Sequence, residues 1–129
     1  CPEKRKSRRL LYTGYLRDYA RFLSCLDAVL VPRRLRTSGP LNKIIEPMSC
    51  SLPVFTTPEG VIALDHARNR DNILVSHEDQ MVEEINNLIF KDNRMAEIGK
   101  NARKTIEKYY ARDANEEKLI KVLRNSASR

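Results

Sequence analysis

Short apolar runs at regular intervals constrain this chain more than any other feature. Ala28-Val29-Leu30-Val31 is continuous and apolar between Asp27 and Pro32. Such a run fits a strand buried on both faces of a parallel sheet. Pro53–Thr57 and Asn72–Ser76 follow at intervals of about twenty residues, with helical patterns between them. That rhythm predicts βαβ units and a parallel sheet. Leu10–Thr13, stopped by Gly14, predicts one more strand.

Between and after these runs the period lengthens to that of a helix. Leu16, Tyr19, Phe22, Leu23 and Leu26 share one face, and Leu41–Cys50 reads as a short helix. Residues 61–71 fit a short helix or an irregular loop. His77–Lys91 carries Met81, Val82, Ile85, Leu88 and Ile89 at helical spacing, with Ser76 as the expected N-cap. Beyond Asp92-Asn93 a second helix begins near Arg94, with Met95, Ile98, Ala102, Ile106 and Tyr109 on one stripe. A third covers about Asn115–Leu123. The expected fold is α/β: a Rossmann-like parallel sheet flanked by helices, with a helical C-terminal third.

At 129 residues the chain fits one domain or one lobe of a larger protein, and its first residue, Cys1, suggests a fragment. No apolar run reaches the ~18–20 residues that span a bilayer. Cys1, Cys25 and Cys50 are too few and too widely spaced for a disulfide framework or a zinc pattern, which favours a reduced, cytoplasmic setting. Residues 1–36 hold ten Lys/Arg against three Asp/Glu, whereas residues 37–129 hold fourteen of each, so the whole excess of +7 sits in the first quarter. A phosphate-rich ligand, nucleic acid, an anionic membrane surface or simple solvation all fit this excess. The basic segment lacks interleaved aromatics, which argues against single-strand recognition and makes nucleic acid the less expected partner.

The candidate site lies between Thr37 and Gly60. In open parallel sheets ligands bind beyond the carboxyl ends of strands, where loops enter helices. The loop after Val31 ends in Ser38-Gly39-Pro40, and a helix opens at once. Gly39 permits a close backbone approach, and Pro40 suits the first helical position. The free amides near Leu41, Asn42 and Lys43 would face an anion, with about 0.3–1 kcal/mol from the helix dipole. Glu46 would repel a phosphate but suits the 2′ and 3′ hydroxyls of a ribose. An ion pair with Lys43, worth roughly 0.2–0.5 kcal/mol, is the simpler alternative. Arg33-Arg34-Leu35-Arg36 could meet a diphosphate, a lipid-linked acidic acceptor at a membrane, or only water. His66 and His77 read as solvated loop residues, and no metal site is expected.

The run SGPLNKIIEPMSCSLPVFTTPEG resembles the donor-binding segment of GT-B glycosyltransferases of family 4, in the branch with a glycine-serine-glycine turn. Leu11–Leu16 is similar to that family's F-x-G-x-(V/L) strand and turn. Asp27–Pro32 is similar to A-D-V-F-V-L-P, and Ile98–Arg103 to L-G-x-N-A-R. The resemblance implies the C-terminal donor lobe of a retaining enzyme that moves a sugar from a nucleotide diphosphate to an acceptor hydroxyl, without a metal. It implies that Glu46 holds the ribose, and that Ser38, Gly39, Leu41, Asn42 and Lys43 surround the diphosphate. Gly14, Tyr15 and Leu16 would lie near the base, and Gly60 near the nucleotide or the cleft between lobes. On this view residues 1–9 are a lead-in, 10–112 part of the donor domain, and 113–129 a C-terminal helix and tail. Catalytic residues and the acceptor would belong to an N-terminal lobe, and the 129 residues alone are expected to be inactive. The alternative is a non-catalytic basic module that binds nucleic acid or anionic membrane through residues 1–36.

Overall fold

The computed structural model describes residues 10–35, 39 and 41–127. Within them three strands, β1 (Val29–Val31), β2 (Val54–Thr56) and β3 (Leu74–Val75), form one parallel sheet in the order β1-β2-β3. The register pairs Val29 with Val54 and Phe55 with Leu74. α1 (Tyr19–Leu23) precedes the sheet, α2 (Asn42–Ser49) joins β1 to β2, and α3 (Pro58–Val61) lies between β2 and β3. Three longer helices close the chain: α4 (Glu78–Leu88), α5 (Asp92–Tyr109) and α6 (Arg112–Ala127). The Rossmann-like α/β fold with a helical C-terminal third is thus the fold that the strand rhythm implies. None of the helices among the described residues is long and apolar enough to cross a membrane.

Successive side chains on a strand face opposite ways, and each sheet face here finds its own partner. Val54 packs with Ile44 and Met48 of α2 and with Ala102 and Ile106 of α5. Phe55 and Leu74 pack on Met95 and Ile98, the first turns of α5. The apolar stripe of α5 therefore serves both clusters; four of its five residues are buried, and the fifth, Tyr109, is half-buried. Asn72, also buried, accepts a hydrogen bond from the Arg68 amide (2.7 Å) and donates to the His66 carbonyl (2.8 Å) and to Thr105 Oγ1 (2.9 Å). It ties the segment before β3 to α5.

Several local expectations need correction. Leu10–Thr13 is not a strand: none of these residues pairs with the sheet, and Leu10, Leu11 and Tyr12 are exposed. β-propensity has nothing to act on without a neighbouring ladder. The helix expected over Leu16–Leu26 shrinks to α1, because the Asp18 carboxylate accepts from the Arg21 amide at 3.0 Å and starts the helix at Tyr19, three residues later. It ends in i→i+3 bonds from Cys25 to Phe22 and from Leu26 to Leu23. The cap of α4 is His77, not Ser76, since the Ser76 amide extends the sheet by bonding the Thr56 carbonyl at 3.0 Å. Pro58-Glu59-Gly60 opens α3, with proline at the first position. α6 begins at Arg112, three residues before the expected start, where the Asn115 amide nitrogen donates to the Tyr109 and Ala111 carbonyls.

Ser51 leaves α2 in the left-handed region at φ 62°. A helix exit of this kind favours glycine, which carries no Cβ penalty there. We expect Ser51→Gly to raise stability by about 1 kcal/mol, read as a higher urea midpoint at unchanged slope. A lower midpoint would show that the serine has compensating contacts.

Candidate functional site

The site grows from the carboxyl ends of β1 and β2, which are tied together by side chains. Thr56 Oγ1 donates to the Val31 carbonyl at 2.8 Å. One residue on, Thr57 Oγ1 donates to the Arg33 carbonyl (2.6 Å) and accepts from the Arg33 amide (3.0 Å). The chain leaving β1 is therefore fixed in direction, and Arg33 is carried at its exit. Arg33 Nε is buried, and the side chain has no hydrogen-bond or ion-pair partner among the described residues. A buried, unpaired donor costs more than a paired one, commonly by about 1–3 kcal/mol.

Arg34 points elsewhere. Its Nε meets both carboxylate oxygens of Glu78, at 2.9 and 3.0 Å, and that hydrogen bond together with the opposite charge raises its pKa above the ordinary guanidinium value. The pair is exposed, so it directs the loop more than it stabilises the fold. Gly39, further along, has φ +96° and open space where a Cβ would stand. The requirement for glycine there is conformational and not steric.

α2 then opens with Leu41 as an N-cap that makes no side-chain bond. The first-turn amides of a helix lack intrahelical partners and carry its positive dipole end. Asn42, Lys43 and Glu46 are exposed on this helix while Ile44, Pro47 and Met48 face the core. Among the described residues the Glu46 carboxylate has neither an ion pair nor a hydrogen bond, so the simpler pairing with Lys43 is not formed.

These groups line a cleft of about 800 Å³. Thr13, Gly14, Tyr15, Leu16, Tyr19 and Phe22 form one wall, β1 with Pro32 and Arg33 the floor, and Asn42, Lys43 and Glu46 the other wall. Gly14 turns the chain into this wall at φ +66°. Of the residues singled out in the sequence, Gly14, Tyr15, Leu16, Arg33, Asn42, Lys43 and Glu46 are brought together here. Leu41 packs its side chain against the core instead, Arg34 borders a different cleft, and Gly60 is buried behind Thr56. Ser38 and Arg36 lie outside the described residues.

Tyr19 and Phe22 were missed as site residues because their helical spacing read only as core. Their rings stack with centroids 6.4 Å apart, and Tyr19 keeps 39% of its surface exposed. His66 is no solvated loop residue: it is half-buried and stacks on Tyr109 at 3.6 Å between centroids. Among the described residues no three His, Cys, Asp or Glu side chains gather as metal ligands would.

A parallel three-stranded sheet flanked by helices, with a cleft along β1 and its carboxyl end, defines a Rossmann-like lobe. The family model described as glycosyl transferases, group 1, matches residues 2–91, more than half of the chain. The chain belongs to that family, and glycosyl transfer is its class of chemistry. No curated protein and no solved structure matches it.

Proposed function

We propose that the 800 Å³ cleft holds the nucleoside diphosphate of a nucleotide-sugar donor, as the donor-side lobe of a retaining GT-B enzyme of family 4. The observation that carries this reading is the unpaired carboxylate of Glu46 in the same cleft as Arg33, Lys43 and the open end of α2. A carboxylate accepts hydrogen bonds from the two ribose hydroxyls. Arg33, Lys43 and the amides of Leu41 and Asn42, with Ser38 and Gly39 in the preceding turn, take the diphosphate. Gly14, Tyr15 and Leu16 flank the base, with Tyr19 and Phe22 as an aromatic surface beside them.

In such a site the leaving diphosphate is stabilised by fixed dipoles and cations, with no need for a metal. Groups that bind the acceptor and complete catalysis come from an N-terminal lobe, and the 129 residues alone bind donor without turning it over. The setting is cytoplasmic, with Arg34 and Arg36 available to a membrane surface or a lipid-linked acceptor.

The test is calorimetry with UDP, GDP and ADP. Saturable binding of one of them, at an affinity that magnesium and EDTA leave unchanged, is expected. Binding of none would overturn the reading.

A further inference from the structure

α6 leaves the body of the protein partway along its length. Its start is tied down: the Asn115 side chain donates to the Tyr109 and Ala111 carbonyls, and Ala114 and Asn115 are half-buried. From Glu116 to Ser126 every residue is exposed. That stretch is about three turns of helix, or roughly 16 Å. Four of its exposed side chains are large and apolar: Leu119 (59%), Ile120, Val122 and Leu123 (59%). At 3.6 residues per turn they fall within about 160° of the helix surface, the width of a stripe that faces a core. None of the four belongs to either core cluster. A helix this short is marginal in water on its own, and an apolar patch without a partner marks an interaction site.

The charges on α6 indicate what covers the stripe. Its acidic groups, Asp113, Glu116 and Glu117, stand at the end near α5, and beyond them the helix carries Lys118, Lys121 and Arg124 with no further acid. Helical spacing sets Lys118 on the Val122 border of the stripe, Arg124 on the Ile120 border and Lys121 opposite. An apolar stripe bordered by cations suits the boundary between the headgroups and acyl chains of an anionic bilayer. A second copy of the chain is the poorer occupant: three turns offer about half a dozen side chains, against the roughly 20–30 residues a side of a stable interface.

We propose that the exposed end of α6 is a membrane-docking element. It lies in the surface of an anionic bilayer, with Leu119, Ile120, Val122 and Leu123 inserted and Lys118, Lys121 and Arg124 among the headgroups. Glu116 shares the apolar face one turn nearer the body, so insertion is confined to the turns beyond it. The helix does not cross the bilayer. Few apolar side chains and few cations hold the contact, which makes it peripheral and reversible.

The test adds vesicles of phosphatidylcholine, alone or with phosphatidylglycerol, to the 129-residue chain. The chain has no tryptophan, so Leu123→Trp reports from the stripe alone. Its emission should be that of a water-exposed indole in buffer and should move to the blue with the anionic vesicles. Leu119→Ser with Leu123→Ser should weaken vesicle affinity about 100-fold, the size of two leucines returned to water. Lys118→Gln with Lys121→Gln should weaken it about 30-fold, the size of two cations at an anionic surface. All these positions are exposed, so each variant should keep the thermal midpoint of the unsubstituted chain. No binding to the anionic vesicles would overturn the proposal. Binding that ignores both double substitutions would do so too, and would assign the contact to the basic residues 1–36. Blue emission before vesicles are added, or a dimer that the serine substitutions dissociate, would give the stripe to the chain itself or to a second copy. In the longer enzyme that the proposed function implies the blue shift should persist, and its loss there would give the stripe to the N-terminal lobe.

Discussion

Glu46→Ala should weaken nucleoside diphosphate binding about 100-fold and leave the thermal midpoint where it is. The two halves of this expectation come from separate features of one residue. Glu46 is exposed on α2, and its carboxylate touches no hydrogen-bonding partner among the described residues. Removing it breaks nothing in the free protein, and alanine is the better helix former. In the complex, each hydroxyl donating to a carboxylate is worth about 1.5–3 kcal/mol, so two of them account for at least ~3 kcal/mol, or about two powers of ten. Glu46→Gln keeps the shape and loses the charge, and should fall between the two. The rival reading, a basic module held to polyanions by residues 1–36, expects binding that falls steeply with salt and ignores Glu46. Titrating both variants with the nucleotide and with a heparin oligosaccharide separates the two. An unchanged nucleotide affinity in Glu46→Ala would remove the ribose contact from the proposal.

What the sequence disclosed about this fold follows from how local each cause was. The strands at Val54 and Leu74 were legible because a buried run needs no pattern beyond its own apolarity; the run at Val29 is a strand as expected, but it is the edge of the sheet and leaves Leu30 51% exposed, not buried on both faces. The stripe Met95, Ile98, Ala102, Ile106 was legible because helical spacing is written into a single segment. The failures share a different origin. Leu10–Thr13 has strand composition but no ladder partner, and pairing is a property of two segments. Ser76 is a good cap by type, yet the bond from its amide to the Thr56 carbonyl keeps it in the sheet. At the site, Glu46 came from its place on the helix as well as from motif resemblance, and Gly14 from resemblance, whereas Tyr19 and Phe22 join the site only because α1 and β1 line one cleft. Spacing within α1 cannot encode that. The cleft that Arg34 borders was invisible for the same reason, since its walls join residues from 33 to 79.

Gly99→Ala should cost about 3 kcal/mol and lower the thermal midpoint by roughly 10 °C, although an ordinary helical glycine becomes more stable as alanine. Gly99 sits inside α5, where alanine alone would be worth about 1 kcal/mol in helix propensity. Its position reverses the sign. An added Cβ would collide with the carbonyl oxygen of Ser51 and stand 2.9 Å from its carbonyl carbon. Those are backbone atoms, and they are not free to retreat: the Ser51 amide bonds the Met48 carbonyl, and the next amide, of Leu52, bonds Pro47, both at 3.1 Å. Relief must come from moving α5 away from α2, which separates Ala102 and Ile106 from Ile44 and Met48 in the larger core cluster. Overpacking of this kind costs about 1–3 kcal/mol and occasionally more, and a rigid obstacle puts Gly99 at the upper end of that range even after the propensity gain. Lys104→Ala, on the exposed face of the same helix, is the control and should stay within about 0.5 kcal/mol. Urea titrations of the three proteins decide the matter, because a Gly99→Ala chain as stable as the unsubstituted one would mean that α5 does not rest on the exit of α2.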